Sequence, residues 1–432
     1  MKVNVIGAGL AGCECAAVLA NNGIKVRLFE MKPLRRSPAH RSDGFAELVC
    51  SNSLRSDKLD NAVGLLKQEL RMLGSLIMRC ADENAVPAGG ALAVDRELFS
   101  KAITNAIESD PNIEIVHEQV TSIPEGPAII ATGPLTDGAL LESIEELLGE
   151  SLHFFDAAAP IVTAESLNME RVFAASRYDR GSDYLNCPMT RLEYFKFIRE
   201  LTEAETAPLH EFENVSVFEG CMPVETMAKR GDLTLAYGPL KPVGFEGCRA
   251  SDGKKPFAIV QLRKENREGT LYNIVGFQTN LKFPEQRRVF GMIPGLENAE
   301  FVRYGVMHRN SFLQSPKHLS KYYSLRSRPE LFFAGQLTGV EGYVESASSG
   351  FAAGINMARY LQGKDQIDFT RRTAIGSLAH YVSEYNGGSF QPMNVNFGIM
   401  ESLPDAPRDK FKRFLALSER ALCIIDDINK SL

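Results

Sequence analysis

The order of apolar and polar residues divides this chain into elements of two different characters. Residues 2–6 (Lys-Val-Asn-Val-Ile) hold three β-branched apolar side chains, which predicts a short buried strand. Residues 10–19 are small and apolar and predict a helix ending near Gly23, and 26–29 predict a second strand with Glu30 at its tip. Between 61 and 80, apolar residues at 63, 65, 66, 70, 73, 76 and 77 keep a helical spacing. Asp95 stands where it would cap a helix reaching about Ile107. Residues 113–116 and 128–131 predict two further strands, the second running into Thr132-Gly133-Pro134.

From about 180 to 300 the pattern becomes short strands joined by turns, at 215–218, 233–237, 257–262 and 271–275. Pro239, Pro242 and Gly253 fall in the loops between them. Strand character returns at 331–335, and a helix is predicted over 344–361, lined with Ala347, Ala352, Ala353 and Gly354. This order predicts an α/β fold: a doubly wound Rossmann-type domain from 1–180 and 301–432, ending in helices, with a sheet-rich α+β domain inserted over 181–300.

The first turn carries the chemistry. Gly7-Ala8-Gly9-Leu10-Ala11-Gly12 sits between a predicted strand and helix, and Glu30 follows 18 residues after Gly12. That is what a dinucleotide site requires. The first glycine makes the tight turn, the second lets backbone approach a pyrophosphate, and the third lets helix and strand pack closely. The helix N-terminus faces the phosphates and the acid reaches a ribose hydroxyl. The glycine turn at Gly133 offers a second close approach. So does the stretch from Gly335 to Gly342 and Tyr343, where a helix start would stabilise charge on a reduced flavin. Because the first and last thirds return to one cofactor, the pattern predicts FAD rather than NAD as the bound dinucleotide.

Composition narrows the class. A length of 432 residues suits two or three domains at roughly 150 residues each. With 44% apolar and 24% charged residues the chain reads as an ordinary globular protein, and its apolar runs fall short of the roughly 20 residues of a membrane span. Net charge of −6 argues against wholesale coating of nucleic acid and leaves room for a local basic face. Eight cysteines, none in a C-x-x-C pair, show no zinc-ligand spacing, so no metal site is expected. Cys13 and Cys15 fall on the first helix, where they would pack against the sheet. A strand starting at residue 2 leaves no secretory leader, so a cytoplasmic protein with free thiols is expected.

Cys50 lies among small polar residues with Arg55 near, a setting that could lower its pKa, whereas Cys221 lies in an acid-flanked turn. On spacing alone both read as inert thiols. Basic residues cluster at Lys32, Arg35, Arg36 and Arg41, at Lys229 and Arg230, at Arg287 and Arg288, and at Arg371 and Arg372. If several converged they would form a phosphate-binding surface. His40, His308 and His380 are candidate proton-transfer groups.

Specific stretches then point to a family. Residues 45–55 (F-A-E-L-V-C-S-N-S-L-R), 86–96, 156–162, 219–223 (E-G-C-M-P), 304–310, 335–346 and 390–398 closely resemble TrmFO, the bacterial folate- and FAD-dependent tRNA (uracil-C5)-methyltransferase family. The likeness runs from residue 1 to about 400. It implies transfer of a methylene group from 5,10-methylenetetrahydrofolate, by way of the flavin, to C5 of the T-loop uridine in the T-arm of tRNA. Reduced flavin, replenished by NAD(P)H, would supply the electrons. The family's two functional cysteines map onto Cys50 and Cys221, which reverses the reading from spacing. Uracil C5 becomes nucleophilic only after something adds to C6, a task suited to a thiolate, and a second group must remove the C5 proton. Cys221 is assigned the attack and Cys50 the place beside the flavin, with the opposite order left open. The uridine is expected to swing out of its loop and stack on an aromatic side chain, gripped by the inserted domain and the basic pairs. Glu341 and Glu345 would shape the folate or flavin site. Three alternatives remain: a TrmFO-like methyltransferase acting on large-subunit ribosomal RNA, a partner-dependent flavoprotein of the MnmG (GidA) kind, and a plain FAD oxidoreductase.

Overall fold

The computed structural model describes residues 2–37, 39–149, 151–157, 159–178, 181–207, 222–265, 269–305, 307–386 and 390–432, with 151–157 and 307–310 as backbone only. The chain begins β1 (Lys2–Ile6), α1 (Leu10–Asn21), β2 (Lys25–Glu30), β3 (Ser53–Ser56), α2 (Ala62–Met72), α3 (Leu76–Glu83), β4 (Ala85–Val86) and β5 (Ala91–Val94). It continues through α4 (Arg96–Glu108), β6 (Ile113–His117), β7 (Ala128–Ile130) and α5 (Gly138–Leu148). Then come β8 (Ser151–Ala157), β9 (Ile161–Thr163), β10 (Phe173–Ala174), β11 (Tyr184–Met189), α6 (Arg191–Glu203), α7 (Val224–Lys229) and α8 (Thr234–Tyr237). Next are β12 (Ala258–Lys264), β13 (Leu271–Ile274), α9 (Phe283–Phe290), β14 (Phe301–Arg303), β15 (Met307–Leu313), α10 (Ser315–His318), β16 (Ser324–Leu325) and β17 (Arg328–Phe333). Helices α11 (Tyr343–Leu361), α12 (Ala374–Glu384) and α13 (Lys410–Ser431) complete the chain.

The first sheet has the order β16-β17-β7-β1-β2-β6, parallel except for the β16–β17 pair. Successive units wind outward from β1, toward β2 on one side and toward β7 on the other. The gap between the tips of β1 and β7 is therefore the switch point where such sheets bind ligands. A second, antiparallel sheet runs β10-β11-β12-β13-β9-β14 and takes its strands from between Ile161 and Arg303. A two-stranded ribbon, β8 with β15, carries the chain out to it and back. Each sheet has its own buried core: Val3, Leu28 and Ile129 with α1, α2 and α11 in one, and Leu185, Val260 and Phe290 with α6 in the other. This is the α/β fold with a sheet-rich insertion that the residue pattern predicts.

The small-residue face of α11 packs on α1. A side chain at Gly350 would meet the carbonyl oxygen of Ala11 at 2.4 Å, and one at Gly354 the Cα of Cys15 at 3.2 Å. The Cys15 thiol donates to the Gly350 carbonyl at 3.1 Å, and burial pushes both Cys13 and Cys15 far above the usual thiol range.

Two expectations fail. The helix expected over 61–80 is two helices, because Gly74 turns at φ +76° and Ser75 then caps α3 by accepting from Met78 N. Residues 233–237 form the short helix α8 and not a strand: the apolar alternation is satisfied by burying Leu235 and Ala236 together on one side of a turn. The strand expected at 215–218 lies outside the described residues.

Candidate functional site

The turn after β1 is as tight as its glycines suggest. Gly7 has φ +99°, and a side chain there would meet the Ala131 carbonyl oxygen at 2.7 Å. A side chain on Gly12 would fall 1.8 Å from the Gly7 carbonyl oxygen, while one on Gly9 would meet nothing within 4 Å. Gly9 thus leaves its backbone open to the cleft, and α1 begins there without a side-chain cap. Glu30, at the tip of β2, spans the turn: its Oε2 accepts from Ala8 N at 3.0 Å and its Oε1 from Lys32 N at 3.0 Å.

A cleft of about 1220 Å³, open mouth included, runs along these tips. Gly7, Ala8, Gly9, Leu10, Ala11 and Glu30 line it at one end, Gly133 in the middle, and Gly335, Tyr343 and Ser346 at the other. Gly12 and Gly342 are not in its wall. Gly12 serves the turn, and Gly342, at φ +118°, has its Cα hydrogen against the Glu345 carboxylate, where a side chain would clash at 2.3 Å. Lys32 and His40 also line the cleft. Burial, and then the Lys32 charge, lower the imidazole pKa of His40, and Ser37 Oγ lies 2.6 Å from its Nδ1. A second cavity between α13 and the start of α2, lined by Phe397, Arg413 and Phe414, includes none of the expected site residues.

Cys50 docks where the cleft closes. The Tyr343 hydroxyl oxygen accepts from Cys50 N at 2.8 Å and Ser51 N at 3.2 Å, and lies 2.9 Å from Cys50 Sγ. With both lone pairs engaged by N–H groups, the phenol directs its hydrogen at the sulfur. Burial, and then the neighbouring Cys50, push the Tyr343 phenol well above its usual range, so it keeps that hydrogen. On the far side the inserted domain holds the same turn. Arg263 Nε donates to Asn52 Oδ1 at 2.9 Å, Arg263 Nη2 donates to Ser51 Oγ at 2.6 Å, and Asn52 Nδ2 donates to the Lys264 carbonyl at 2.8 Å. Arg96 and Glu265 form a buried ion pair beside it.

Below this turn, buried Lys67 donates to three successive carbonyls, Leu54 at 2.9 Å, Arg55 at 3.1 Å and Ser56 at 2.7 Å, and burial lowers its ammonium to about 8. Arg55 sits at φ +63° and reaches Glu345, which also accepts from Val395 N at 3.1 Å. The Oε2 of Glu345 has no hydrogen-bond partner among the described residues. Glu341 accepts from Gln336 Nε2 at 2.7 Å. Arg263 and Lys67 carry no motif in the sequence, and Asn52 stands only within the stretch that resembles the family. The only signal for the first two is that a lysine in an apolar helix face and an arginine in an apolar strand must find partners.

Cys221 lies outside the described residues, as does the side chain of His308. His380 bridges Asp368 and Glu384, each at 2.9 Å. Several residues of the basic clusters are paired with acids. Arg35 pairs with Asp137 and Arg36 with Asp43; Arg288 pairs with Glu200 and Glu285, and Arg372 with Glu401. Arg287 donates to the Tyr304 hydroxyl.

Fold and site define an α/β protein with a dinucleotide-type cleft, an inserted domain, and a thiol seated at the cleft's end. The family profile described as Glucose inhibited division protein A matches residues 2–365. The crystal structure of Aquifex aeolicus GidA, form I, superposes with a TM-score of 0.73 at 17% identity, covering 100% of this chain and 75% of that one, a likeness of fold. Proteins named methylenetetrahydrofolate–tRNA-(uracil-5-)-methyltransferase TrmFO are far more similar. That of Acetivibrio thermocellus is 61% identical, over 98% of both chains, and that of Bacillus subtilis 56% identical, over 100% of this chain and 99% of its own. The chain belongs to the TrmFO family, within the wider GidA group.

Proposed function

We infer that the protein is a folate-dependent tRNA (uracil-C5)-methyltransferase that uses FAD, with the T-loop uridine as its target and NAD(P)H as the source of electrons. One observation carries the reading in this chain. The Cys50 turn is hydrogen-bonded to Tyr343, the residue that closes the dinucleotide cleft at the start of α11. The cleft suits FAD: Gly9 is open to it, α1 starts uncapped, and the wall joins both ends of the chain. When bound, the reduced flavin supplies the electrons that turn a folate-derived methylene into methyl.

The protein's own groups do the rest. Cys221 Sγ forms a bond to C6 of uracil, which makes C5 a nucleophile toward the methylene carbon. After the C5–carbon bond forms, C5 loses its proton and the C6–sulfur bond breaks, restoring the pyrimidine and the thiolate; the bond from the methylene carbon to its carrier nitrogen would break as two electrons and a proton from the reductant arrive, leaving a methyl group and the free carrier. In this reading Cys50, whose sulfur meets the Tyr343 hydroxyl, takes that proton or handles the methylene carrier. Glu30 would hold the ribose end of a bound dinucleotide, and the N–H groups at the start of α11 would favour negative charge on its reacting end.

The test is incubation of purified protein with unmodified tRNA transcript, methylenetetrahydrofolate and NADPH, followed by mass spectrometry of nucleosides. The expected result is 5-methyluridine in the T-loop, lost in Cys50→Ala and Cys221→Ala. Methylation of ribosomal RNA with tRNA left untouched would move the target, and a protein that binds no FAD would end the reading.

A further inference from the structure

Arg263 poses a problem that the dinucleotide cleft does not explain. It is 7% exposed, and its guanidinium, always charged, pairs with no carboxylate among the described residues. The acceptors it engages are neutral: Ser51 Oγ and Asn52 Oδ1, in the turn directly after Cys50, and the Tyr184 phenol. The carboxylate whose charge reaches it, Glu265, is held in an ion pair by another arginine, Arg96. A buried cation with no carboxylate in hydrogen-bond reach, and only a shared one acting at longer range, burdens stability, so its persistence beside a thiol asks for a role.

We propose that Arg263, reaching across from the inserted domain, is the positioning residue that makes Cys50 a reactive thiol: its fork fixes the Ser51–Asn52 turn and its charge favours the thiolate. The proposal rests on the reading of Cys50 as a reacting group. Around the sulfur stand Tyr343 from α11, Arg263 from β12 and Arg303 from β14, with the Arg96–Glu265 pair between α4 and the end of β12. The Tyr343 hydroxyl and the two guanidinium groups all favour a negative sulfur. Of the two guanidinium groups, Arg263 is the one that also grips the turn carrying the sulfur, through a planar two-pronged fork that a lysine lacks. The thiol is thereby made competent only when the inserted domain is seated on the cleft.

The experiment is the pH profile of Cys50 alkylation by iodoacetamide in the purified full-length protein, followed by mass spectrometry of the peptide that contains it. The thiol loses its proton to solvent, the thiolate sulfur attacks the methylene carbon, an S–C bond forms and iodide leaves, so the midpoint reports the thiolate. In the wild type we expect it well below the ordinary value of about 8.5. Arg263→Gln should raise it by at least about one unit, slowing alkylation roughly tenfold at pH values below both midpoints and by a smaller factor near them. Arg263→Lys should stay nearer the wild type, and Ser51→Ala, which keeps the charge, should leave the midpoint in place. A wild-type midpoint at the ordinary value, or one unmoved by Arg263→Gln, would overturn the proposal. So would a shift in Ser51→Ala as large as in Arg263→Gln. If Arg263→Gln does not fold, Arg263→Lys decides: an ordinary midpoint there overturns the role of charge. The assay needs neither RNA nor folate. A wild type that methylates no uridine yet keeps a low, Arg263-dependent midpoint would count against the proposed function and leave this assignment standing.

Discussion

At the residue scale, a single phenol oxygen holds the Cys50 turn. Tyr343 accepts from two N–H groups and offers its hydrogen to the sulfur, so Tyr343→Phe would strand two backbone donors and the thiol at once. Leaving such groups unpaired costs about 1–3 kcal/mol of stability. We expect the melting temperature to fall and methylation to slow by about tenfold to a hundredfold, with FAD still bound because the phosphate turn is untouched. Thermal denaturation and single-turnover methylation check the two parts, and an unchanged rate would remove Tyr343 from the reaction. Some of this was legible in the sequence. The glycine turn and Glu30 announce themselves by spacing, since phosphate binding tolerates few alternatives, whereas Cys50 reads as an inert thiol by spacing and stands out only through the family resemblance. The Tyr343 contact spans 293 positions and the Arg263 contact 212. No local pattern encodes such distances.

At the scale of elements, buried acids decide where helices start. Glu14, on α1, accepts from Ser75 Oγ, Leu76 N and Ile77 N at the start of α3, and Glu69, on α2, accepts from Ala374 N and Ile375 N at the start of α12. These N–H groups are the ones a helix leaves unpaired, which is why the apolar spacing over 61–80 could not reveal that a second helix begins after Gly74. Burial raises Glu14 to about 7 and Glu69 to about 8, above the unfolded value of about 4.3. Between those limits the folded chain binds more protons than the unfolded one. The stabilisation is therefore complete below about pH 4.3 and is lost as pH rises through 7 to 8. Taken alone, these two acids make the protein melt at lower temperature at pH 8.5 than at pH 6, and Glu14→Gln or Glu69→Gln should flatten that difference. Each substitution should also cost about 1–3 kcal/mol, because an amide cannot accept from every N–H it inherits. Melts at the two pH values test both statements, and a slope unaltered in the variants would refute the assignment.

At the scale of the whole molecule, the inserted domain leaves along β8, returns along β15, and then comes back to touch the cleft it left. Its seat includes the Arg96–Glu265 ion pair, whose side chains are 14% and 4% exposed. Nothing in the sequence couples an arginine at the start of α4 to a glutamate just past β12, although the insertion itself is visible as a change of periodicity. A buried pair of this kind is weakly stabilising as a whole and strongly so against the loss of one partner, because the survivor keeps its desolvated charge. Glu265→Met should therefore cost about 3–5 kcal/mol. Arg96→Met combined with Glu265→Met, which removes both charges, should recover most of that loss. Denaturant unfolding of the wild type, Arg96→Met, Glu265→Met and the double variant measures the coupling directly. If the double variant is no more stable than Glu265→Met, the ion pair is not what seats the inserted domain. Recovery with methylation still depressed would separate two roles at this seat, holding the domains together and setting the charge around Cys50.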